Sequence, residues 1–175
     1  TFSNPLPLLT FVDVLVLGEA DEILPWMLRE ATLAADRSAC LSRWASHPNI
    51  LLPGLVPDKQ PLIARADDRL LPTSSTIMTP HTELSGMYLV EVERGCSRNC
   101  RYCVMRRGSQ GGMRPVPCDR ILARVPPGAS RIGLVGAAVS DHPQIGSLVD
   151  TLTGRGCRVG LSSLRPDRVV EPLVR

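Results

Sequence analysis

Residues 131–162 read RIGLVGAAVSDHPQIGSLVDTLTGRGCRVGLS. The run 131–139 is a strong strand candidate. Residues 143–152 place Ile145, Leu148, Val149 and Leu152 on one helical face, and Gly154 and Gly156 end that helix. Residues 158–162 give the next strand. Strand, helix, strand at this spacing is the signature of parallel strands joined by a helical crossover. Upstream, residues 87–92 (MYLVEV) form another strand, followed by a cysteine-rich loop and a short helix over 119–125 that Pro126-Pro127-Gly128 stops. Downstream, residues 167–174 start a further helix. The order β–loop–α–β–α–β–α contains three strands, too few for a closed barrel.

The N-terminal part reads differently. Residues 12–17 (VDVLVL) are a continuous apolar run bounded by Gly18, which suits a parallel strand buried on both faces. Asp21 is read as the cap of the following helix, with Pro25 in its first turn and Leu24, Met27, Leu28 and Ala31 at helical spacing. A second helix is expected over 38–46, with Leu41 and Trp44 inward and His47-Pro48 ending it. Five prolines between Pro53 and Pro80 mark a connecting segment. The expected division is 1–72, a linker over 73–85, and 86–175.

The 175 residues allow one domain or parts of two. The chain is 43% hydrophobic and 21% charged, which excludes simple disorder. Residues 1–90 carry 6 basic and 10 acidic side chains, whereas 91–175 carry 14 and 7, so the halves differ in sign. Aromatic content of 3% argues against a stacking platform for nucleic acid. The first basic residue is Arg29, which leaves no charged region for a secretory signal, and the apolar stretch from Leu6 to Leu17 is broken by Asp13. The expectation is a cytoplasmic chain, with no membrane partner, read from its start at Thr1 as a fragment. In a reducing compartment six cysteines are not a disulfide scaffold.

Those cysteines carry the chemistry. Residues 93–103 read ERGCSRNCRYC, so Cys96, Cys100 and Cys103 form C-x3-C-x2-C directly after a strand. Three thiolates on one loop can hold three corners of an iron–sulfur cluster and leave the fourth iron open to a small molecule. Zinc would want a fourth ligand, for which Cys118 is the candidate. A ferredoxin-like carrier would want a fourth cysteine nearby, and the sequence has none at suitable spacing. Cys40 and Cys157 are read as small core residues. His47, His81 and His142, each beside or near proline in a turn, are weak ligand candidates.

With Tyr102 before the third cysteine and Arg94-Gly95 before the first, the segment resembles the signature of the radical S-adenosylmethionine (radical SAM) superfamily. The resemblance extends to the β/α alternation, and it implies the first half of a partial (β/α)6 barrel. It implies that Cys96, Cys100 and Cys103 bind a [4Fe–4S] cluster and that S-adenosylmethionine (SAM) chelates the open iron. One electron then cleaves SAM to methionine and a 5′-deoxyadenosyl radical, which attacks a substrate that the sequence does not identify. Tyr102 would lie near the adenine. Gly136, Ala137 and Ala138 end the second strand, where the family contacts SAM. The family's Gly-Gly-Glu is absent, and Ser140 or Asp141 is the substitute. Arg165, after the third strand with Ser163, is the candidate for a carboxylate such as that of SAM. An electron donor such as flavodoxin or ferredoxin is the implied partner. Six arginines over 93–114 admit nucleic acid as a partner, although neutralising an anionic cluster explains them better.

Residues 11–22 (FVDVLVLGEADE) resemble the last strand–loop–helix of the cobalamin-binding-type domains fused to such barrels, which implies the end of a Rossmann-like parallel sheet. The family's Gly-Glu-Gly-Glu is replaced by Gly18-Glu19-Ala20-Asp21, and the cobalamin-ligating motif does not occur in these 175 residues. The alternatives are a cobalamin-dependent radical SAM methyltransferase and a non-catalytic iron–sulfur protein that carries electrons or senses.

Overall fold

In a computed structural model, residues 4–54, 62–98, 100–105 and 112–169 are described. The chain divides into two compact units, one of Thr1–Asp67 with Cys100–Gln110, the other of Asp68–Asn99 with Gly111–Arg175.

In the first unit, β1 (Leu15–Val16) is followed by α1 (Ile23–Leu33), α2 (Arg37–Ala45) and β2 (Ile50–Leu51). The apolar run expected to form a parallel strand pairs antiparallel instead, Leu15 opposite Leu51 and Val16 opposite Ile50. On its other side Gly18 bridges Ala64 in parallel. Leu17 donates to the Asn49 carbonyl and Ala64 to the Leu17 carbonyl, each at 2.8 Å. The run is therefore held by short segments rather than by long strands. Gly18 has φ of +97°, and a Cβ there would overlap the Ala64 backbone, so this crossing requires glycine.

Glu22, not Asp21, stands at the N-cap of α1, and its side chain makes no capping bond. Its carboxylate accepts from the Asp67 amide at 3.2 Å instead. Pro25 does fall in the first turn. The buried stripe of α1 is Ile23 and Met27, while Leu24 and Leu28 are exposed. Apolar residues occupy two adjacent stripes of this helix, so periodicity alone does not choose between them. Tertiary contact does: the Trp44 indole donates to the Met27 carbonyl at 3.0 Å, and Ile23, Met27 and Ile50 pack with Trp26 and Trp44. Asp36 caps α2, accepting from the Ala39 amide at 2.8 Å.

In the second unit, β3 (Tyr88–Glu91), β4 (Glu93–Arg94), β5 (Arg114–Pro115), α3 (Cys118–Arg124), β6 (Arg131–Val135), α4 (Ile145–Gly154) and β7 (Arg158–Leu161) follow in order. β3, β6 and β7 make a parallel sheet in that spatial order, with Tyr88 opposite Ile132 and Ile132 opposite Val159. The unit is mixed α/β with the parallel strands expected from the alternation. Register puts Tyr88, Val90, Ile132, Leu134, Val159 and Leu161 on one face. That face packs on Ile121 of α3 and on Ile145, Leu148, Val149 and Leu152 of α4. Val90, Ile121, Ile132, Leu134, Leu148 and Leu152 are wholly buried, each contributing about 1.5–3 kcal/mol of burial.

Two boundaries differ from expectation. β6 ends at Val135, not at Val139; residues 136–138 bend, and a single 3-10 turn covers Val139–Asp141. Thr73 and Ser75 add to the free edge of β3: Glu91 donates to the Thr73 carbonyl and Ser75 to the Leu89 carbonyl, each at 2.9 Å. Of the expected helix over 167–174, a 3-10 turn at Pro166–Arg168 is observed, and residues 170–174 lie outside the described residues. No helix among the described residues is long and apolar enough to cross a membrane.

Candidate ligand site at the carboxyl ends of the parallel strands

Strands β3, β6 and β7 run in the same direction, so their carboxyl ends deliver three chain segments to one edge of the sheet. In parallel α/β sheets this edge is where ligands bind. From β3 comes the cysteine loop, from β6 the Gly136–Asp141 turn, and from β7 the segment that contains Arg165 and Arg168.

The cysteine loop starts from a fixed neck. Val92 donates to the Val135 carbonyl at 3.0 Å and Val116 to the Val92 carbonyl at 2.9 Å. β4 and β5 then pair antiparallel, with Glu93 opposite Pro115 and Arg94 opposite Arg114. Cys96 follows Gly95, and its sulfur accepts from the Arg98 amide at 3.4 Å. Cys96 belongs to the second unit and Cys100 and Cys103 to the first, where the Cys103 amide donates to the Cys100 carbonyl at 3.1 Å. All three are partly buried cysteines, so they suit an iron–sulfur cluster in donor chemistry. Among the described residues no group of three or more Cys, His, Asp or Glu is gathered about a point where a metal ion could bind. Tyr102 is 92% exposed.

Glu93 is the residue that sequence reasoning missed. It is 1% exposed, and its Oε1 accepts from the Ala138 amide at 2.6 Å. Its Oε2 is buried without a hydrogen-bond partner among the described residues. Burial raises the Glu93 pKa above the ordinary carboxylate value. The Ala138 amide opposes that rise, Glu91 adds to it, the Ala137 amide opposes it, and Asp141 adds to it. Gly136 makes room for this carboxyl group, because a Cβ there would overlap Glu93 Oε1. The small residues 136–138 therefore accommodate a side chain from the neck of the cysteine loop. The available signal was an acidic residue continuing a strand straight into a metal-type motif.

Asp141 collects arginines. Arg165 Nη1 donates to its two oxygens at 2.8 and 3.0 Å, Arg98 Nε lies 3.4 Å from Oδ2, and Arg168 Nε lies 3.7 Å from Oδ1. Arg165 also pairs with Asp167, and its amide donates to the Ser140 hydroxyl at 3.0 Å. The structure thus brings together Gly136, Ala137, Ala138, Asp141 and Arg165. Asp141 and Arg165 bind each other. Ser163 has φ of +56°, a left-handed conformation uncommon outside glycine.

On the sheet face opposite the helices, an open cavity of about 430 Å³ is lined by residues 73–75, Leu89, Glu91, Arg94, Val135 and Gly136. Arg94 grips Glu91 with Nε and Nη2 at 2.7 and 2.8 Å and reaches the Thr73 hydroxyl at 3.1 Å.

The remaining candidates are occupied structurally. Cys118 begins α3 and packs on the core, where burial raises its thiol pKa and makes it a poor thiolate donor. Cys157 packs on the same core and its thiol reaches the Ala129 carbonyl at 3.2 Å. His142 is buried. Its Nε2 lies 2.9 Å from the Val116 carbonyl, and its Nδ1 accepts from the Gln144 amide at 3.1 Å, which fixes a neutral ring protonated at Nε2.

No family model matches the chain, and no curated protein or solved structure matches it significantly.

Proposed function

We propose that this chain is part of a radical SAM enzyme, with the beginning of a partial (β/α)6 barrel in residues 86–175. The observation that carries the reading is the C-x3-C-x2-C loop leaving the carboxyl end of the first strand of a parallel sheet with consecutive strand order. Consecutive order is that of a barrel segment and equally of one half of a doubly wound sheet, so the cysteine motif is what favours the barrel.

In this reading Cys96, Cys100 and Cys103 would hold a [4Fe–4S] cluster, and SAM would occupy its open corner. Bound there, the cluster would supply one electron for reductive cleavage of SAM. The chain's own residues set the surroundings. The β4–β5 neck anchors the start of the cysteine loop, and Arg98 and Arg101 supply positive charge beside the thiolates. Residues 136–138 offer backbone close to the ligand, because they carry small side chains or none. Electron delivery falls to a flavodoxin or ferredoxin.

The test is anaerobic reconstitution of the protein with iron and sulfide, followed by dithionite and SAM. Iron and sulfide in equal amounts and release of 5′-deoxyadenosine are expected. Cys96→Ala, Cys100→Ala and Cys103→Ala should each abolish both, and Cys157→Ala should preserve cluster content. A full cluster in the triple cysteine variant would overturn the site. A cluster that never cleaves SAM would leave an electron carrier or sensor.

A further inference from the structure

We infer that Arg98 and Arg168 form a binding subsite for an oxyanion, a carboxylate or a phosphate, at the carboxyl ends of β3, β6 and β7. This goes beyond the cluster reading and does not depend on it.

The three guanidinium groups around Asp141 are not equivalent. Arg165 takes both Asp141 oxygens at hydrogen-bond distance and also engages Asp167. Its Nη1 is committed to Asp141 and its Nη2 to Asp167. Arg98 and Arg168 approach the same carboxylate only through Nε, at 3.4 and 3.7 Å, at or beyond the limit of a hydrogen bond. Among the described residues neither makes a hydrogen bond from its terminal nitrogens. Those terminal forks are the part of arginine that matches a carboxylate or phosphate in shape and charge. The two side chains are 43% and 56% exposed, whereas Asp141 is 6% exposed.

Charge points the same way. Three guanidinium groups pair with two carboxylates, Asp141 and Asp167, and among the described residues the nearby Glu93 carboxyl makes no ion pair with them. The shielded Asp141 carboxylate on the β6 turn faces Arg98 through Oδ2 and Arg168 through Oδ1. A wholly exposed arginine pair would repel; a shared, fixed carboxylate lets two cations stand close. An anion arriving from solvent would bind both forks without displacing Arg165. The position fits as well, since the carboxyl edge of a parallel sheet is where ligands dock.

The experiment titrates the full chain with inorganic phosphate at low ionic strength, followed by calorimetry or phosphorus NMR. Saturable one-site binding is expected. The R98A/R168A pair should weaken it about tenfold or more, the scale of one lost charge-assisted hydrogen bond. R98K/R168K keeps the charge and loses the fork, so an intermediate loss is expected. R124A/R155A removes equal charge elsewhere and should leave affinity unchanged. Circular dichroism checks that each variant folds, and the lysine pair decides the matter if the alanine pair does not. Absence of saturable binding, an unaffected R98A/R168A pair, or an equal loss in R124A/R155A would each overturn the subsite. Adding SAM identifies the source of the oxyanion. Displacement of phosphate assigns the subsite to the carboxylate of SAM, and simultaneous binding assigns it to an anionic group on the molecule acted upon.

Discussion

Glu93 Oε1 stands 2.6 Å from the amide nitrogen of Ala138, which ties the neck of the cysteine loop to the turn that ends β6. Removing the acceptor leaves a buried amide without a partner. Glu93→Ala is expected to cost about 1–3 kcal/mol for that amide alone. Glu93→Gln keeps a carbonyl oxygen in place and should lose less. Urea unfolding of both variants decides it, and equal losses would show that this bond is not the source of the effect.

Glu93 and His142 give opposite responses to pH. Burial holds the Glu93 pKa above 4.5, so the folded chain binds that proton more tightly than the unfolded chain. Its contribution is complete below the unfolded value and is lost as pH rises through the folded one. Burial holds the His142 pKa below 6.5, so its contribution is complete above 6.5 and is lost as pH falls through the folded value. Unfolding midpoints measured across this range should flatten on the alkaline side in Glu93→Gln. They should flatten on the acid side in His142→Gln, whose amide can still donate to Val116. A variant that changed the wrong limb would refute the assignment.

Gly136→Ala should destabilise the protein by about 1–3 kcal/mol, because its Cβ would intrude on the Glu93 carboxyl group. The Gly136→Ala/Glu93→Ala double variant should lose less than the sum of the two single losses. Additive losses would mean that the methyl group strains the backbone and not the carboxyl group.

Leu148→Ala removes a wholly buried side chain and should cost about 2–5 kcal/mol. Leu28→Ala lies on the exposed stripe of α1 and should change stability by about 0.5 kcal/mol or less. A large loss from Leu28→Ala would restore the helix face expected from periodicity.

Where one element buries a single unambiguous face, the sequence was enough. Ile145, Leu148, Val149 and Leu152 were assigned to the core from spacing alone, and all four are buried there. The three parallel strands followed from the alternation with helices, and they pair in consecutive order. Partners distant in the chain were hidden. Leu15 and Val16 were read as part of a parallel sheet because a short apolar run does not disclose strand direction, which Ile50 and Leu51 set. Residues 73–75 read as linker because Pro72 precedes them and two of the three are serine, yet their backbone joins the β3 edge. β6 was drawn four residues too long, because Ala137 and Ala138 leave local propensity silent while the Glu93 carboxyl captures the Ala138 amide. Of the candidate site, Asp141 and Arg165 are each legible as a polar residue near a strand end, but that they bind each other is not. Glu93 is not, since an acid that continues a strand into the cysteine motif marks the position without showing that its side chain turns inward.

The antiparallel rungs of β4 and β5 give the cysteine loop one further property. Both ends of the loop are fastened to the same pair of backbone rungs, so its length is independent of the sheet's register. The rungs fix where the loop leaves and rejoins the sheet, while the spacing of Cys96, Cys100 and Cys103 inside it is set by the ligand they are proposed to share. The fold has separated the part of the chain that varies its chemistry from the part that keeps its shape. Homologous chains should therefore keep the spacing from Cys96 to Cys103 and from Arg114 through β7, with length variation confined between Cys103 and the second rung.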